Sequence, residues 1–525
     1  MTELPTGWVE TQISELVELQ ENGKPFQQGW SPQCESRPAE DDEWGVVKTT
    51  AIQHGEFWAH ENKALPTNLD PKPLIEIKSG DVLMTCAGPR NRCGVACLVK
   101  TTRNKLMMSG KMYRFRPNAE ALNPQFLSYF IGEHETQLRI NEMKTGISDS
   151  GLNLTHGRFA LLPVLVPPLN EQRRIVDKIE AMFERVDKGV ENLQAARAAL
   201  GLYRQSLLNS AFEGRLTADW RAANADKLED PKALLARIQT EREARYATAL
   251  HDWQTALEDW RSGGEEGKKP AKPKRPRDIP VTSIDLGLNG WAKIPLGLMI
   301  DTPSYGTSKK CDYDGGAYGV LRIPNIGAGR IDATDLKKAD FDDNEAEQYS
   351  LIEGDILTVR SNGSLSIVGK PALVTAQDTG NLFAGYLIRI RANSDSLRPQ
   401  YLAHIMTEPH IRGQIEAKAK STSGVNNISA KELQDVNIPI CSPAEQTEIT
   451  RILDERLSAA DTMKAEIDDA LKRAEVLRQS ILKQAFSGKL VPQDPDDEPA
   501  AALLARIKVE REAAPKAKRK KRGAA

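Results

Sequence analysis

Between Glu171 and Phe212 the chain has no proline, and apolar or small residues recur at alternating steps of four and three: Ile175, Ile179, Met182, Val186, Gly189, Leu193, Ala196, Leu200, Tyr203 and Leu207. That period predicts one long helix carrying a coiled-coil seam. A weaker stripe, Ile449, Leu453, Arg456, Ala460, Met463, Ile467, Ala470, Ala474, Leu477 and Ile481, predicts a second helix whose alanines allow close approach. Elsewhere the pattern changes to short β-branched runs between turn residues: Trp44-Gly-Val-Val-Lys48, Leu74-Ile-Glu-Ile77, Val95-Ala-Cys-Leu-Val99 and Met112-Tyr-Arg-Phe115. These read as strands. Asn123-Pro-Gln-Phe126 predicts a capped helix start, with proline at the first helical position, and Leu397-Arg-Pro-Gln-Tyr-Leu402 opens its equivalent. Both regions that flank the long helices are therefore expected to be α+β.

The chain is also written twice. Arg204-Gln-Ser-Leu-Leu-Asn-Ser-Ala-Phe-Glu-Gly-Arg-Leu216 returns 274 residues later as Arg478-Gln-Ser-Ile-Leu-Lys-Gln-Ala-Phe-Ser-Gly-Lys-Leu490, identical at eight of thirteen positions. The same offset aligns Gly80-Asp81-Val82-Leu83 with Gly354-Asp355-Ile356-Leu357, and Glu171-Gln172 with Glu445-Gln446. Such a duplication predicts two similar lobes, each followed by the same helix. Either seam could pack on its own lobe or form a homodimer, but two seams in one chain can satisfy each other without concentration dependence. A pseudo-two-fold relation then requires the helices to run antiparallel, and a helix of this length spans roughly 60 Å.

A charged arm separates the copies. It begins as Leu234-Leu-Ala-Arg-Ile-Gln-Thr-Glu-Arg-Glu-Ala244, continues through Tyr246, Leu250, Trp253, Leu257 and Trp260, and ends in Ser262-Gly-Gly264 and a Lys/Pro stretch from Lys268 to Arg277 that reads as a linker. Leu503-Leu-Ala-Arg-Ile-Lys-Val-Glu-Arg-Glu-Ala513 repeats its start at nine of eleven positions before the basic end Lys516-Ala-Lys-Arg-Lys-Lys-Arg522, a solvated tail or a phosphate-binding one. The expected divisions are 1–168, first lobe; 169–216, first long helix; 217–283, arm and linker; 284–441, second lobe; 442–490, second long helix; and 491–525, short helix and tail.

At 525 residues with a formal net charge of −2, the chain has no global basic field, so a polyanion must be met locally. No long apolar run and no signal-peptide pattern opens the sequence, which predicts a cytoplasmic protein. The six cysteines (Cys34, Cys86, Cys93, Cys97, Cys311, Cys441) contain no C-x-x-C pair and read as reduced, buried thiols rather than metal ligands. Two strings imitate catalytic motifs. Asn123-Pro-Gln-Phe126 differs from the Asn-Pro-Pro-Phe motif of amino-methyltransferases at its third residue, and its repeat, Arg398-Pro-Gln-Tyr401, lacks the Asn. Asp70 with Glu76-Ile-Lys78 has the look of a metal-dependent nuclease centre, but Ser350-Leu-Ile352 stands in the second copy, and an edge strand entering the Gly80-Asp81 turn accounts for the first. With no Walker loop, H-E-x-x-H or G-x-S-x-G elbow either, the sequence offers no active site and no metal site.

Two variable lobes alternating with two matching helices, each entered by Glu-Gln and left through Gln-Ser-x-Leu-x-x-Ala-Phe-x-Gly-[Arg/Lys]-Leu, resemble the specificity subunit of type I restriction-modification systems. Tyr305-Gly-Thr-Ser-Lys-Lys310 and Gly354-Asp-Ile-Leu-Thr-Val-Arg360 are typical of that family's target-recognition domains. The resemblance implies two α+β target-recognition domains and two long helices paired as an antiparallel coiled coil. It further implies a non-catalytic subunit that reads an asymmetric bipartite target in double-stranded DNA. Its partners would be two methyltransferase subunits, which bind S-adenosylmethionine, and a restriction/motor subunit where the host has one; this chain itself would hold no cofactor.

Carried onto this sequence, the DNA-reading loops of the second lobe are Tyr305, Gly306, Thr307, Ser308, Lys309 and Lys310; Arg360, Ser361, Asn362 and Ser364; and Thr422, Ser423, Gly424, Asn426 and Asn427. In the first lobe, Lys24, Gln27 and Gln28 stand loosely for the first loop, with Arg90, Asn91 and Arg92, and Lys144, Thr145, Gly146 and Ser148, for the others. Groove-edge contacts need such polar side chains on loops, although Gly, Ser, Thr and Asn also make ordinary turns. Two other classes stay open: a coiled-coil assembly protein without a DNA role, and a self-contained methyltransferase or nuclease. Salt-dependent duplex binding separates the first, cofactor binding by the purified chain the second.

Overall fold

The computed structural model describes residues 4–20, 23–267, 269–280, 284–327, 329–392, 395–422 and 424–513. The chain divides into two compact units, Met1–Gln194 with Asp468–Ala525, and Ala195–Ile467. Each contains one lobe and the halves of both long helices, Leu169–Phe212 and Pro443–Phe486.

In the first unit a four-stranded antiparallel sheet runs in the order Gln27–Gln28, Met112–Phe115, Val82–Thr85, Ala96–Leu98. A three-stranded sheet centres on Gly45–Val47, which pairs antiparallel with Asn62–Ala64 and parallel with Leu106–Met107. Val9–Gln12 pairs with Pro163–Val166 and so closes the lobe where the helix leaves it. The second unit repeats this plan. Its main sheet runs Ser304–Tyr305, Leu387–Ile390, Ile356–Val359, Pro371–Leu373, Gly329–Arg330, and Ala292–Pro295 pairs with Asn437–Ile440 at the exit. One expected strand differs: Pro73–Ile75 is a short 3-10 turn followed by an isolated bridge at Glu76. Pro73 fixes φ and offers no N–H, which suits a helical first turn and interrupts a ladder.

Both repeated dipeptides have a structural task. Asp81 and Asp355 are fully buried; each accepts a backbone N–H three residues upstream, from Lys78 at 2.8 Å and Ile352 at 2.9 Å. Each also meets an arginine that follows the neighbouring strand, Arg116 at 2.7 Å and Arg391 at 2.6 Å, so the buried carboxylate faces a cation. In the Glu-Gln pair, the Gln172 and Gln446 side chains accept from the backbone N–H groups of Asn123 and Arg398 and donate to two carbonyls apiece. That ties each long helix to the helix starting at Pro124 or Pro399. Glu171 and Glu445 accept the indole N–H of Trp8 and Trp291, at 3.1 and 3.0 Å.

The exit motif fills a lobe core. In the second unit Leu207, Leu208, Ala211 and Phe212 lie in one cluster with Tyr401, Ile449 and Leu453, and the Phe212 ring meets Tyr401 edge-on at 5.4 Å. In the first unit Ile481, Leu482, Ala485 and Phe486 join Phe126, Phe130, Ile175 and Ile179, with Phe486 edge-on to both phenylalanines. Farther along the same helices Arg478 pairs with Asp187 and lies 5.1 Å over Phe183, so the first unit's two helix halves run in opposite directions. Arg204 pairs with Asp461 in the second unit. The expected seam is thus buried at its ends, whereas Gly189, Ala196, Tyr203, Arg456, Met463 and Leu477 are exposed.

The arm departs further from expectation. Its repeated start belongs to the cores: Leu234 and Ile238 are buried in the second unit, Leu503 and Ile507 of the terminal helix Ala500–Ala513 in the first. The Lys/Pro stretch is no free linker. Trp253 and Trp260 of the helix Pro231–Ser262 donate their indole N–H groups to the carbonyls of Pro270 and Gly267, and Lys272 and Lys269 lie over those rings. The tail from Lys516 to Arg522 lies outside the described residues. Among the described residues no helix is long and apolar enough to cross a membrane, and no three His, Cys, Asp or Glu side chains are placed to hold a metal. All six cysteines are free; Cys34 and Cys311 are only half-buried, while burial pushes the Cys86 and Cys97 thiols up to about 12.

Candidate nucleic-acid interface

In the second lobe, Ser304–Tyr305 forms the edge of the main sheet, paired with Leu387–Ile390. The chain then passes so close to a neighbouring strand that a Cβ on Gly306 would lie 2.1 Å from the Phe383 carbonyl oxygen, a place only glycine can occupy. The Thr307 amide donates to that carbonyl at 2.9 Å, and its hydroxyl accepts from the Lys309 amide at 3.0 Å. Thr307 is a buried post, and it leaves Ser308, Lys309 and Lys310 exposed.

The second and third loops meet as a small sheet. Ser361–Asn362 pairs with Val425–Asn427, which returns on Lys420–Thr422 through a turn at Gly424; Ser423 lies outside the described residues. Asn426 donates to the Gly363 carbonyl at 3.0 Å, and the Asn362 side chain accepts from the Ser364 amide at 2.9 Å. These two amides hold the turn. Asn427 instead lines a groove of about 750 Å³, and its Oδ1 is buried with no hydrogen-bond partner among the described residues. The same groove is lined by Tyr305, Ser308, Lys309, Arg360 and Ser361, so the structure brings together the three stretches that the sequence set apart.

Charge in the groove is unevenly matched. Lys309 pairs with Glu345 at 2.9 Å, and Arg322 with Asp335 at 3.3 Å. Arg360 lies over the Tyr305 ring at 4.4 Å and makes one long hydrogen bond, 3.4 Å, to the Gly385 carbonyl. The Tyr305 hydroxyl accepts from the Ala430 amide at 3.0 Å, which fixes the ring beneath it. Tyr386, missed in the sequence, is the most open aromatic of the lining at 66% exposure.

The first lobe corrects the sequence assignment. Gln27–Gln28 holds the place of Ser304–Tyr305 on the sheet. A Cβ on Gly29 would lie 2.3 Å from the Ser109 carbonyl oxygen, and the Trp30 amide donates to Met108 as Thr307 does to Phe383. The counterpart of Tyr305-Gly306-Thr307 is therefore Gln28-Gly29-Trp30, with Lys72 3.9 Å over the Trp30 ring. The glycine was the available signal. Gln27 is committed internally, donating to the Leu74 carbonyl and accepting from Arg114, while Lys24 is exposed ahead of the strand. Gln28 donates to the Gly110 carbonyl at 2.7 Å.

Arg360 has its backbone counterpart in Cys86. The Cys86 amide donates to Lys111 and its carbonyl accepts from Leu154, as Arg360 does with Tyr386 and Ile428. Arg90, Asn91 and Arg92 lie in the turn beyond. Arg92 donates to the Thr49 and Ile52 carbonyls, both at 2.6 Å, so its guanidinium braces the lobe rather than facing outward. Arg90 is exposed and paired with Asp149 at 2.8 Å. Lys144 donates to the Arg90 carbonyl at 2.9 Å, and burial lowers its pKa. Thr145 bridges to Asn153, leaving Asn91, Gly146 and Ser148 exposed nearby.

Residues 5–193 match the family model described as type I restriction modification DNA specificity domain. The chain is 26% identical to the type I restriction enzyme EcoKI specificity subunit of Escherichia coli (strain K12), with 99% of each chain covered. It is 36% identical over 196 residues to the EcoEI specificity subunit of Escherichia coli, a match to 37% of this chain and only 32% of that one. A chain from a solved structure of type I R-M system assembly shares the fold, with a TM-score of 0.62 at 20% identity over 93% of this chain and 100% of that one.

Proposed function

We propose that this chain, like the relatives it matches, is a specificity subunit of a type I restriction-modification system whose two lobes read the two halves of a split, asymmetric DNA target, each through the groove at its sheet edge. The convergence of three predicted loops on the second lobe's groove is the observation that carries this reading. Unequal side chains at matching positions, Tyr305 against Gln28 and Arg360 against Cys86, favour unlike half-sites. A split site returns to one face of B-DNA every ~34–36 Å, which asks for a rigid spacer between readers. Long helices suit that task.

In this reading the chain is a scaffold without chemistry of its own, working in the cytoplasm. Two methyltransferase subunits that bind S-adenosylmethionine would dock along the long helices, where Leu202, Tyr203, Met463, Val476 and Leu477 stand exposed, and a restriction/motor subunit would join them where the host has one. The test is single-molecule mapping of methylated adenines in cells carrying this chain with its neighbouring methyltransferase, against the methyltransferase alone. A split asymmetric motif that depends on this chain is the expected result. A palindromic motif, or methylation that ignores the chain, overturns the proposal.

A further inference from the structure

We infer that Arg360 reads a guanine in the half-site of the second lobe and that Tyr305 is the residue that positions it; the inference rests on the reading above. Guanine presents two acceptors, O6 and N7, on its major-groove edge, and the planar guanidinium fork matches them with paired donors. Such a donor must be held in place, desolvated on one face and left without an acidic partner. Among the described residues, Arg360 meets all three conditions. The Tyr305 ring lies 4.4 Å from its guanidinium carbon and is itself pinned by the Ala430 amide. Among the described residues the guanidinium makes one hydrogen bond, to the Gly385 carbonyl, and it is long at 3.4 Å, so most of its five donors are available. Of the groove's other cations, Lys309 and Arg322 already face Glu345 and Asp335, and Lys337 lies over the Tyr313 ring at 4.7 Å.

A second observation points the same way. Asn427, which lines the same groove, stands across the small sheet from Ser361, the residue after Arg360, and its buried Oδ1 has no hydrogen-bond partner among the described residues. A buried polar atom left unpaired needs a donor from outside the described residues, water or a bound ligand. Base edges offer donors and acceptors side by side, whereas a phosphate offers acceptors alone. The pairing of a free guanidinium with an orphaned acceptor therefore fits a base pair better than the backbone. The first lobe puts Cys86 at the place of Arg360, so this contact belongs to one half-site only.

The experiment uses the full chain with its neighbouring methyltransferase. Adenine methylation is mapped for the wild type, Arg360→Gln, Arg360→Lys, Tyr305→Ala and Tyr305→Phe. Expected is loss of preference at one G·C pair in one half-site for the Gln, Lys and Tyr305→Ala chains, a smaller loss at the same pair for Tyr305→Phe, which keeps the ring but gives up its bond from the Ala430 amide, and an unchanged other half-site. The assembled complex is then given duplexes in which each guanine in turn is replaced by 7-deazaguanine, which lacks the N7 acceptor. One position should slow wild-type methylation on the order of ten- to a hundredfold and leave Arg360→Gln unaffected. Uniform weakening with an unchanged motif, or equal 7-deazaguanine sensitivity in both chains, would make Arg360 a phosphate contact and overturn the inference. A wild-type chain that directs no motif defeats the specificity reading itself, a distinct failure.

Discussion

Replacing Glu445 by glutamine should unsettle the second unit far more than the same change at Glu171 unsettles the first, although the two residues occupy the same place in the repeat. The Glu445 carboxylate is fully buried and accepts from the Trp291 indole at 3.0 Å, the Thr217 hydroxyl at 2.7 Å and two nitrogens of Arg221 at 2.9 and 2.7 Å. Arg221 has a side chain only 11% exposed, so the Glu445→Gln variant leaves a nearly buried guanidinium without its anion. Breaking a buried pair in this way costs about 3–5 kcal/mol. Among the described residues Glu171 accepts from Trp8 alone, at 3.1 Å, while the nearby Arg174 pairs with Asp497 at 2.7 Å.

Burial is the leading cause that raises the Glu171 pKa. A carboxyl whose folded pKa is raised favours folding while protonated, and that contribution is lost as pH rises through the folded value. At pH 7 the Glu171→Gln variant should therefore be as stable as the wild type or slightly more so, with the advantage vanishing as pH falls below the ordinary Glu value of about 4.3. Hydrogen exchange read by mass spectrometry separates the units. Glu445→Gln should speed exchange by about a hundredfold or more in Ala292–Pro295 and Asn437–Ile440 and leave Val9–Gln12 unchanged. Equal effects from the two variants, or less than a tenfold change in the second unit, would refute the reasoning.

Gly306→Ala and Gly29→Ala each force a Cβ to within 2.1 or 2.3 Å of a carbonyl oxygen, so each should degrade a different half-site in methylation mapping; a change common to both halves would count against separate readers. Leu503→Ala, at a position 3% exposed in the first unit's core, should cost about 2–5 kcal/mol and make the first lobe a faster target for limited proteolysis. Arg478→Ala removes an ion pair whose partners are 29% and 50% exposed, so the melting midpoint should move by no more than about 1 kcal/mol allows, and a larger drop would mean the pair is a main tie between the helices.

What could be read from the sequence was whatever repeats at a fixed interval. The helix period and the duplicated exit motif placed Leu169–Phe212 and Pro443–Phe486 within a few residues, and the cap at Asn123 appears as drawn, its side chain accepting from Gln125 and Phe126. The second lobe's loops were legible because their polar residues are contiguous. In the first lobe only Gly29 survives of the equivalent loop, and backbone pairing had to supply the register that residue types could not. The Trp8–Glu171 and Trp291–Glu445 contacts escaped notice because the two pairs are 163 and 154 residues apart, which no single offset aligns. The arm misled for a different reason: a stripe of Trp and Leu shows that a helix has an apolar face, not that the Lys/Pro segment after it folds back to cover that face.

The unequal make-up of the two units has a consequence for biosynthesis. The second is one continuous stretch of chain, whereas the first needs Ile481 to Ile507 to fill the core around Phe126 and Ile179. On the ribosome the first lobe emerges with that side of its core open and waits through roughly 300 further residues, ~15–60 s at ordinary elongation rates of ~5–20 residues per second. The lobe made first is thus the last to be completed, and a chain halted after Ile467 but before the helix Ala500–Ala513 would carry a complete second unit and a first lobe still exposing part of its apolar interior.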